Sequence, residues 1–390
     1  LSRHRTVRTN SSYQKEIHPM RKARTVARAA LAAGTVLVLA ACGGSPTSPS
    51  AGNNKNEGNG PTKAEKLYEE MAGLSGQERR DRLVELAAEE NGLNLYTSMN
   101  ADVLDSVSEA FTDTFDIDVN VYRAGSETVL QRILQEQDAG FPGNDVVETN
   151  GSELGALQKE GVMSQCVAQE LIDQVPEAGR AEDWTSTRFN LFAPSWNTEL
   201  ITDPPTSWED LADPKYDGQL ALELGDYDWY LGLTDYWLSE GKSQEEIDQL
   251  FADMVDGAVV VKGHTVMAEL MSAGQFGLAA SNYTYIVEGA KTTGAPVETR
   301  PYVSPVIARP NGGSCMKNAE NPATAMLFMD WLLEEGQQVI ADLQLTPAIA
   351  EGDALGGAEL VAVDSERLLE EGNEWSDKYD KLLAGVKQID

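Results

Sequence analysis

The chain has 390 residues, with 30 Lys and Arg against 63 Asp and Glu and a formal charge of −33 at pH 7. A protein this acidic lacks the basic footprint that nucleic-acid phosphates demand, which excludes nucleic acid as a partner. Its surface field favours cationic solutes or serves solubility alone.

The first recognisable element is a leader. Met20-Arg21-Lys22-Ala23-Arg24 with Arg28 forms a basic segment, and Ala29 to Ala41 is an apolar or small-residue run of 13 residues. Crossing a bilayer takes about 20 apolar residues, so the run reads as a secretory signal rather than a membrane span. Residues 1–19 carry no such pattern, and Met20 is the expected true start. Leu39-Ala40-Ala41-Cys42 resembles the lipobox of bacterial lipoproteins. That resemblance implies cleavage before Cys42 and a diacylglycerol on its thiol, with palmitate-type chains that hold a soluble domain at a membrane. The alternative is an ordinary secretory signal with a chance cysteine. Loss of residues 1–41 removes eight Lys/Arg and one Glu and moves the charge from −33 to −40. No later apolar run approaches 18 residues, so contact with the membrane is expected through the lipid only. The expected location is the extracytoplasmic face of the cell membrane.

Residues 42–62 follow as a lipidated, flexible linker, rich in Gly, Ser, Asn and Pro and without aromatic or large aliphatic side chains. A folded domain is expected over 63–390. Two short helices are predicted between Lys63 and Glu90, with a break near Ser75-Gly76. Strands at Leu93–Tyr96, Ile117–Tyr122 and Asp145–Val147 then alternate with helices at Asp102–Phe115, Glu127–Gln137 and Glu153–Lys159. Such alternation predicts an α/β fold with a parallel sheet covered on both faces, and ligands bind at the C-terminal ends of such strands. A second unit repeats the pattern after Arg188. Its strands fall near Asn190–Ala193, Gln219–Leu222 and Ala258–Val261, and its helices at Trp229–Leu238, Gln244–Met254 and Val266–Ser272. Val303–Ala308 and a helix over Pro322–Glu334 suit a return to the first unit. The expected lobes are about 92–195 plus 303–345, and 196–302, with a ligand cleft between them. The C-terminal helices of 346–390, one expected over Ser376–Val386, are assigned to neither lobe. Cys166 and Cys315 remain beside Cys42, and a pair in an oxidising compartment forms a disulfide or stays as two buried thiols.

Several ordered blocks resemble the extracellular solute-binding proteins of ABC importers, in the branch of the ferric-ion-binding proteins. They are the strand from Leu93 to Ser98, the stretch Phe111 to Val121, the helix Val129 to Ile133 and the strand Asn144 to Val147. Ser195 to Thr198, Pro205 to Gly218, Gly294 to Val297 and Asn321 to Ala325 follow in order. The resemblance implies a type II periplasmic-binding-protein fold, capture of a small-molecule solute by hinge closure, and delivery to an ABC permease and ATPase complex. In the ferric binders a His, a Glu and two adjacent Tyr hold the metal. Here Asn100 and Asn150 fall near the His and Glu positions, and the tyrosine pair becomes Tyr283-Thr284-Tyr285. Hard Fe(III) wants anionic oxygen donors, so no resident metal is expected. Glu148, Tyr283 and Tyr285 are the remaining weak iron candidates.

The candidate ligand residues are Ser98, Asn100, Ser126, Thr149, Asn150, Trp196, Asp226, Tyr227, Trp229, Tyr283 and Tyr285. Ser98, Asn100 and Ser126 either cap the helices that follow or leave N–H donors open to an anionic group. Thr149 and Asn150 follow a strand and either line a cleft or turn the chain. Asp226, Tyr227 and Trp229 either cage a cationic amine or cap and pack a helix. Trp196 either stacks on a ligand or wedges the hinge. His264, the single histidine after cleavage, reads as a surface or capped residue.

No G-x-S-x-G, H-E-x-x-H or C-x-x-C motif is present, so neither a catalytic residue nor a cofactor is assigned. The function expected is that of a monomeric transport receptor and not an enzyme. Ferric-ion or ferric-complex binding, a ligand-sensing lipoprotein without transport and a secreted hydrolase are the alternatives.

Overall fold

The computed structural model describes residues 60–390, apart from 142, 350–352, 354 and 390. The leader, Cys42 and nearly all of the linker lie outside the described residues. Among those described, no helix is long and apolar enough to cross a membrane.

Thirteen strands are described. β1 (Leu93–Thr97), β2 (Val119–Arg123), β3 (Val146–Asn150) and β4 (Met163–Ser164) belong to the first half. β5 (Thr185–Asn197) leads into β6 (Leu220–Glu223), β7 (Val259–Val261), β8 (Leu278–Tyr283) and β9 (Val297–Glu298). β10 (Val306–Met316), β11 (Thr346–Pro347), β12 (Leu360–Ala362) and β13 (Lys387–Ile389) complete the chain. They join in one path, β13-β7-β6-β8-β5-β10-β3-β1-β2. At each end of the path stands a parallel group, β3-β1-β2 and β8-β6-β7, connected through intervening helices. Between the groups lie β5 and β10, antiparallel to each other and, in turn, to β8 and β3.

Length explains how one sheet serves two halves. β5 has 13 residues and β10 has 11, and at about 3.3 Å per residue each is long enough to run from one group into the other. The sequence pattern marks only Asn190–Ala193 and Val303–Ala308 there, short of Pro310-Asn311-Gly312-Gly313. In the structure these residues stay in the ladder, with a bulge between Asn311 and Gly312. A Cβ on Gly312 would stand 2.6 Å from the Thr185 carbonyl oxygen, so only glycine lets the two backbones approach.

Each half has its own core. In the first, Phe111 packs edge-on against Phe328 and Trp331 at 5.2 and 5.3 Å. Helix Pro322–Leu333 is buried along its whole length, which explains why its apolar residues show no single face. In the second, Trp208, Trp229, Trp237, Phe251, Trp375 and Tyr379 are packed together.

The C-terminal helix spans Ser365–Leu382, eleven residues earlier at its start than the sequence pattern suggests. Asp364 caps it with bonds from the Glu366 and Arg367 amides, a local signal that apolar periodicity does not carry. It packs against helix Gly151–Lys159 of the first half and helix Tyr227–Ser239 of the second. β13 then adds a parallel edge strand to β7.

Cys166 and Cys315 are joined in a disulfide across 149 residues of chain. In the chain-entropy treatment so long a loop contributes up to about 5 kcal/mol. Replacing both cysteines by serine is therefore expected to lower the unfolding free energy by about 2–5 kcal/mol in urea titrations. An unchanged urea midpoint would contradict a bridge that constrains the unfolded chain.

Candidate functional site

Helices follow the C-terminal ends of the parallel strands in both halves, as alternating strand and helix require. Their N-caps are Asn100, Gly125, Asn150, Asp226, Gly263 and Tyr283, and none makes a side-chain capping bond. By contrast Thr62, Ser243 and Asp364, which stand at helix starts elsewhere, all cap with their side chains. Apart from the Trp229 amide, which donates to Asp228 Oδ1 at 2.9 Å, the uncapped set makes its first N–H groups and positive dipole ends available.

Three of those N-caps, Asn100, Asn150 and Tyr283, line a cavity of about 110 Å³ between the halves. Ser98 and Val103 complete its first-half wall, and Tyr285 its second-half wall. The floor comes from β5 and β10, through Arg188, Asn190, Arg309 and Asn311, with Leu345 at one side. Neither an Asp nor a Glu is among these lining residues.

The two arginines are held from behind. Arg188 is ion-paired to Glu148 on β3, which also accepts a bond from Thr97 Oγ1 at 2.8 Å. Arg309 Nη1 donates to Asp228 Oδ2 at 3.1 Å, and its guanidinium lies over the Tyr283 ring at 5.4 Å. The Arg309 Nε–H is buried and has no partner among the described residues, an open donor beside the cavity.

Polar contacts tie the first-half residues together. Ser98 and Thr149 share a hydroxyl bond of 3.0 Å, Asn150 Nδ2 donates to Ser126 Oγ at 2.9 Å, and Asn311 Nδ2 donates to Asn150 Oδ1 at 2.8 Å. Across the cleft, Asn100 Nδ2 donates to the Tyr285 hydroxyl oxygen at 2.9 Å. Tyr285 and Tyr283 lie nearly parallel at 5.8 Å, and His264 stacks on Tyr283 at 3.8 Å. Burial pushes the Tyr283 phenol well above its ordinary pKa, and Arg309 offsets this only in part. Burial also raises Tyr285, against the lowering effect of the Asn100 bond.

The structure thus brings Ser98, Asn100, Asn150, Tyr283 and Tyr285 to one cavity, with Ser126 and Thr149 bonded to its wall. The cationic cage expected of Asp226, Tyr227 and Trp229 is not formed. Trp229 is fully buried and packs on Trp208 and Phe251. Tyr227 packs at the edge of the second-half core. Asp226 is 2% exposed and accepts from His264 Nε2 and the Ser281 hydroxyl. Trp196 is likewise a core side chain and is not among the residues that line the cavity. His264 is neither a surface residue nor a simple cap, because Asp226 and Tyr283 enclose it. Glu148, expected as a weak iron candidate, is fully buried and spent on Arg188 and Thr97.

Sequence reading missed Arg188, Asn190, Arg309 and Asn311. Their common signal is polarity at every second position of β5 and β10, 188 with 190 and 309 with 311, which puts them on one face.

Among the described residues, Glu223, Asp226 and His264 are a group whose ligand-type atoms lie within 4.8 Å of one another. Glu223 accepts the Gly263 amide at 2.7 Å and the Gly225 amide, and Asp226 accepts Ser281 and His264. With those oxygens taken, the group reads as a buried ion-pair network.

Residues 97–339 match the family of bacterial extracellular solute-binding proteins, and the chain belongs to it. It is a receptor of the ABC-importer type, which captures a small solute outside the cytoplasm. Among relatives, Iron uptake protein A1 of Synechocystis is 21% identical over 278 residues, covering 67% of this chain and 77% of the relative. The fold matches the periplasmic binding protein AfuA of Actinobacillus pleuropneumoniae with fructose-6-phosphate bound. The TM-score is 0.60 at 19% identity, over 76% of this chain and 99% of that one. It matches equally the Trichodesmium protein IdiA (FutA) in complex with iron and citrate, with a TM-score of 0.61 at 18% identity. That match covers 76% of this chain and all of the other. The architecture is the two-lobed type II binding-protein fold.

Because the Asn100–Tyr285 bond spans the cleft, Tyr285→Phe is expected to shift the ligand-free protein toward a more open form. The check is small-angle scattering, with a larger radius of gyration than the parent. An identical scattering curve would show that this bond does not hold the cleft shut.

Proposed function

We propose that the receptor captures a small solute bearing an oxyanion, in the class of phosphates, phosphonates and carboxylates, and hands it to an ABC permease. The observation that carries this is the cavity lining, which holds Arg188, Arg309 and three uncapped helix N-caps but no Asp or Glu. Charge-assisted bonds from guanidinium and backbone N–H groups suit a planar or tetrahedral oxyanion. The fructose-6-phosphate held by the Actinobacillus protein supports the same chemistry for this fold.

Bare ferric ion suits the site poorly. Two phenols raised by burial, two guanidiniums and a set of amides supply little of the negative charge that Fe(III) requires. A ferric ion carried by an anionic chelator is the second reading, favoured by the adjacent Tyr283 and Tyr285 beside two arginines. The Trichodesmium relative, with iron and citrate, supports that variant.

Binding proceeds as a hinged clamp. β5 and β10 bear the arginines where the halves join, and each half adds its own N-termini and polar side chains. A solute touching both gains more in the closed state than in the open one, so it shifts the population toward closure. At about 110 Å³ the cavity is smaller than the ~300–1,000 Å³ usual for ligand pockets, so a sugar-sized solute requires the cleft to open first. No chemistry on the solute is involved. The receptor works as a monomer tethered through a lipid on Cys42, with the cleft lobes divided as the sequence suggests.

The test is a thermal-shift and calorimetry panel of phosphate, phosphonates, fructose 6-phosphate, citrate, ferric citrate, amines and neutral sugars. An anionic member is expected to give the largest stabilisation. Arg309→Gln is expected to weaken it by about 10- to 100-fold, the worth of one charge-assisted bond. A cationic amine as the tightest ligand, unaffected by Arg309→Gln, would refute the reading.

A further inference from the structure

Tyr285, Tyr283 and His264 form a column of three rings that begins at the cleft and ends in a buried ion pair. Asn100 bonds the outer ring from the opposite half. At the inner end, His264 Nε2 lies 3.0 Å from Asp226 Oδ1, and Ser281 fixes the other oxygen of that carboxylate. His264 opens helix His264–Ser272, directly after Gly263 at φ 94°, a backbone conformation that glycine adopts without strain. Charged and aromatic groups from several elements surround this imidazole. The end of β6 gives Glu223, the start of helix Tyr227–Ser239 gives Asp226 and Asp228, and β10 gives Arg309. β8 gives Tyr283, helix Thr284–Thr292 gives Tyr285, β5 presents the Phe192 ring at 6.1 Å, and β7 is three valines. Arg309 is already engaged by Asp228. The buried carboxylates of Glu223 and Asp226 therefore face one group that can gain or lose a positive charge, His264.

We propose that solute capture is proton-linked, with His264 as the positioning residue that carries the linked proton. The proposal rests on the anionic-solute reading. With the imidazole charged, Asp226 is neutralised, the ring stack is fixed against Tyr283, and the field behind the cleft does not oppose an anion. With it neutral, the uncompensated charge of Asp226 and Glu223 lies one ring behind the cavity wall and weakens anion binding. Burial works against the imidazolium, but Asp226 and Glu223 outweigh it and raise the His264 pKa above its ordinary value. Glu223 is itself raised by burial and by Asp226. For a histidine with a raised folded-state pKa, the stabilisation is complete below the unfolded value of about 6.5 and is lost as pH rises through the folded value. An anion bound in the cleft raises the value further, so binding takes up a proton by linkage.

Sulfate tests this in the full chain, because it stays a dianion from pH 5.5 to 8.5 and its own titration does not intrude. Calorimetry is expected to show sulfate binding about tenfold tighter at pH 5.5 than at pH 8.5, within the range typical of coupled sites. His264→Gln, which keeps an amide donor toward Asp226, is expected to flatten that ratio to less than about twofold. Equal affinity at both pH values in the parent, or an unchanged ratio in His264→Gln, would overturn the proposal. Failure of sulfate to bind at either pH would count against the anionic-solute reading instead. The proton assignment then stands or falls on a ¹³C titration of the imidazole signal missing from His264→Gln. A midpoint above that of a free histidine supports it, and a ring that stays neutral throughout pH 5.5–8.5 overturns it.

Discussion

A guanidinium taken out of water must be met by a carboxylate or by a ligand, and two such groups at one junction organise this protein. Arg188 and Arg309 stand on β5 and β10, the strands that belong to both halves. Glu148 reaches Arg188 from the first half and Asp228 reaches Arg309 from the second. Each half therefore anchors one cation at the floor of the cleft and leaves donor capacity unspent, most plainly the Arg309 Nε–H. Leaving buried donors without acceptors is costly, and a bound oxyanion removes that cost.

The rest of the fold serves this placement. Parallel strands turn their C-terminal ends, and the helix starts behind them, toward the same junction from both sides. The halves keep separate aromatic cores. The C-terminal helix is rooted in the second-half core through Trp375 and Tyr379 and bonds Lys159 of the first half through Glu370 at 2.9 Å. The disulfide stays within the first-half core, joining the Cys166 loop to β10 without crossing the cleft.

Much of this was legible in the sequence because apolar spacing governs it. The strands and helices from Leu93 to Lys159 follow from periodicity, and five of the eleven candidate ligand residues line the cavity because they sit at strand ends. What periodicity does not carry is the floor. Arg188 and Asn190, or Arg309 and Asn311, look like solvent-facing polarity in an edge strand until pairing shows both strands in the middle of the sheet. The Asp226–Trp229 cluster misled for a complementary reason. Aromatics beside acids look like a cage, but burial of Trp229 and the pairing of Asp226 with His264 are tertiary facts with no local signature.

The account turns on what occupies the space between Arg188 and Arg309. A crystal structure of the protein purified with its natural solute decides this most directly. An oxyanion bonded to both guanidiniums and to the first amides of the helices beginning at Ala101, Gly151 or Thr284 is the predicted result. Density for a metal ion coordinated by the Tyr283 and Tyr285 phenolates, with the two arginines turned away, would contradict it.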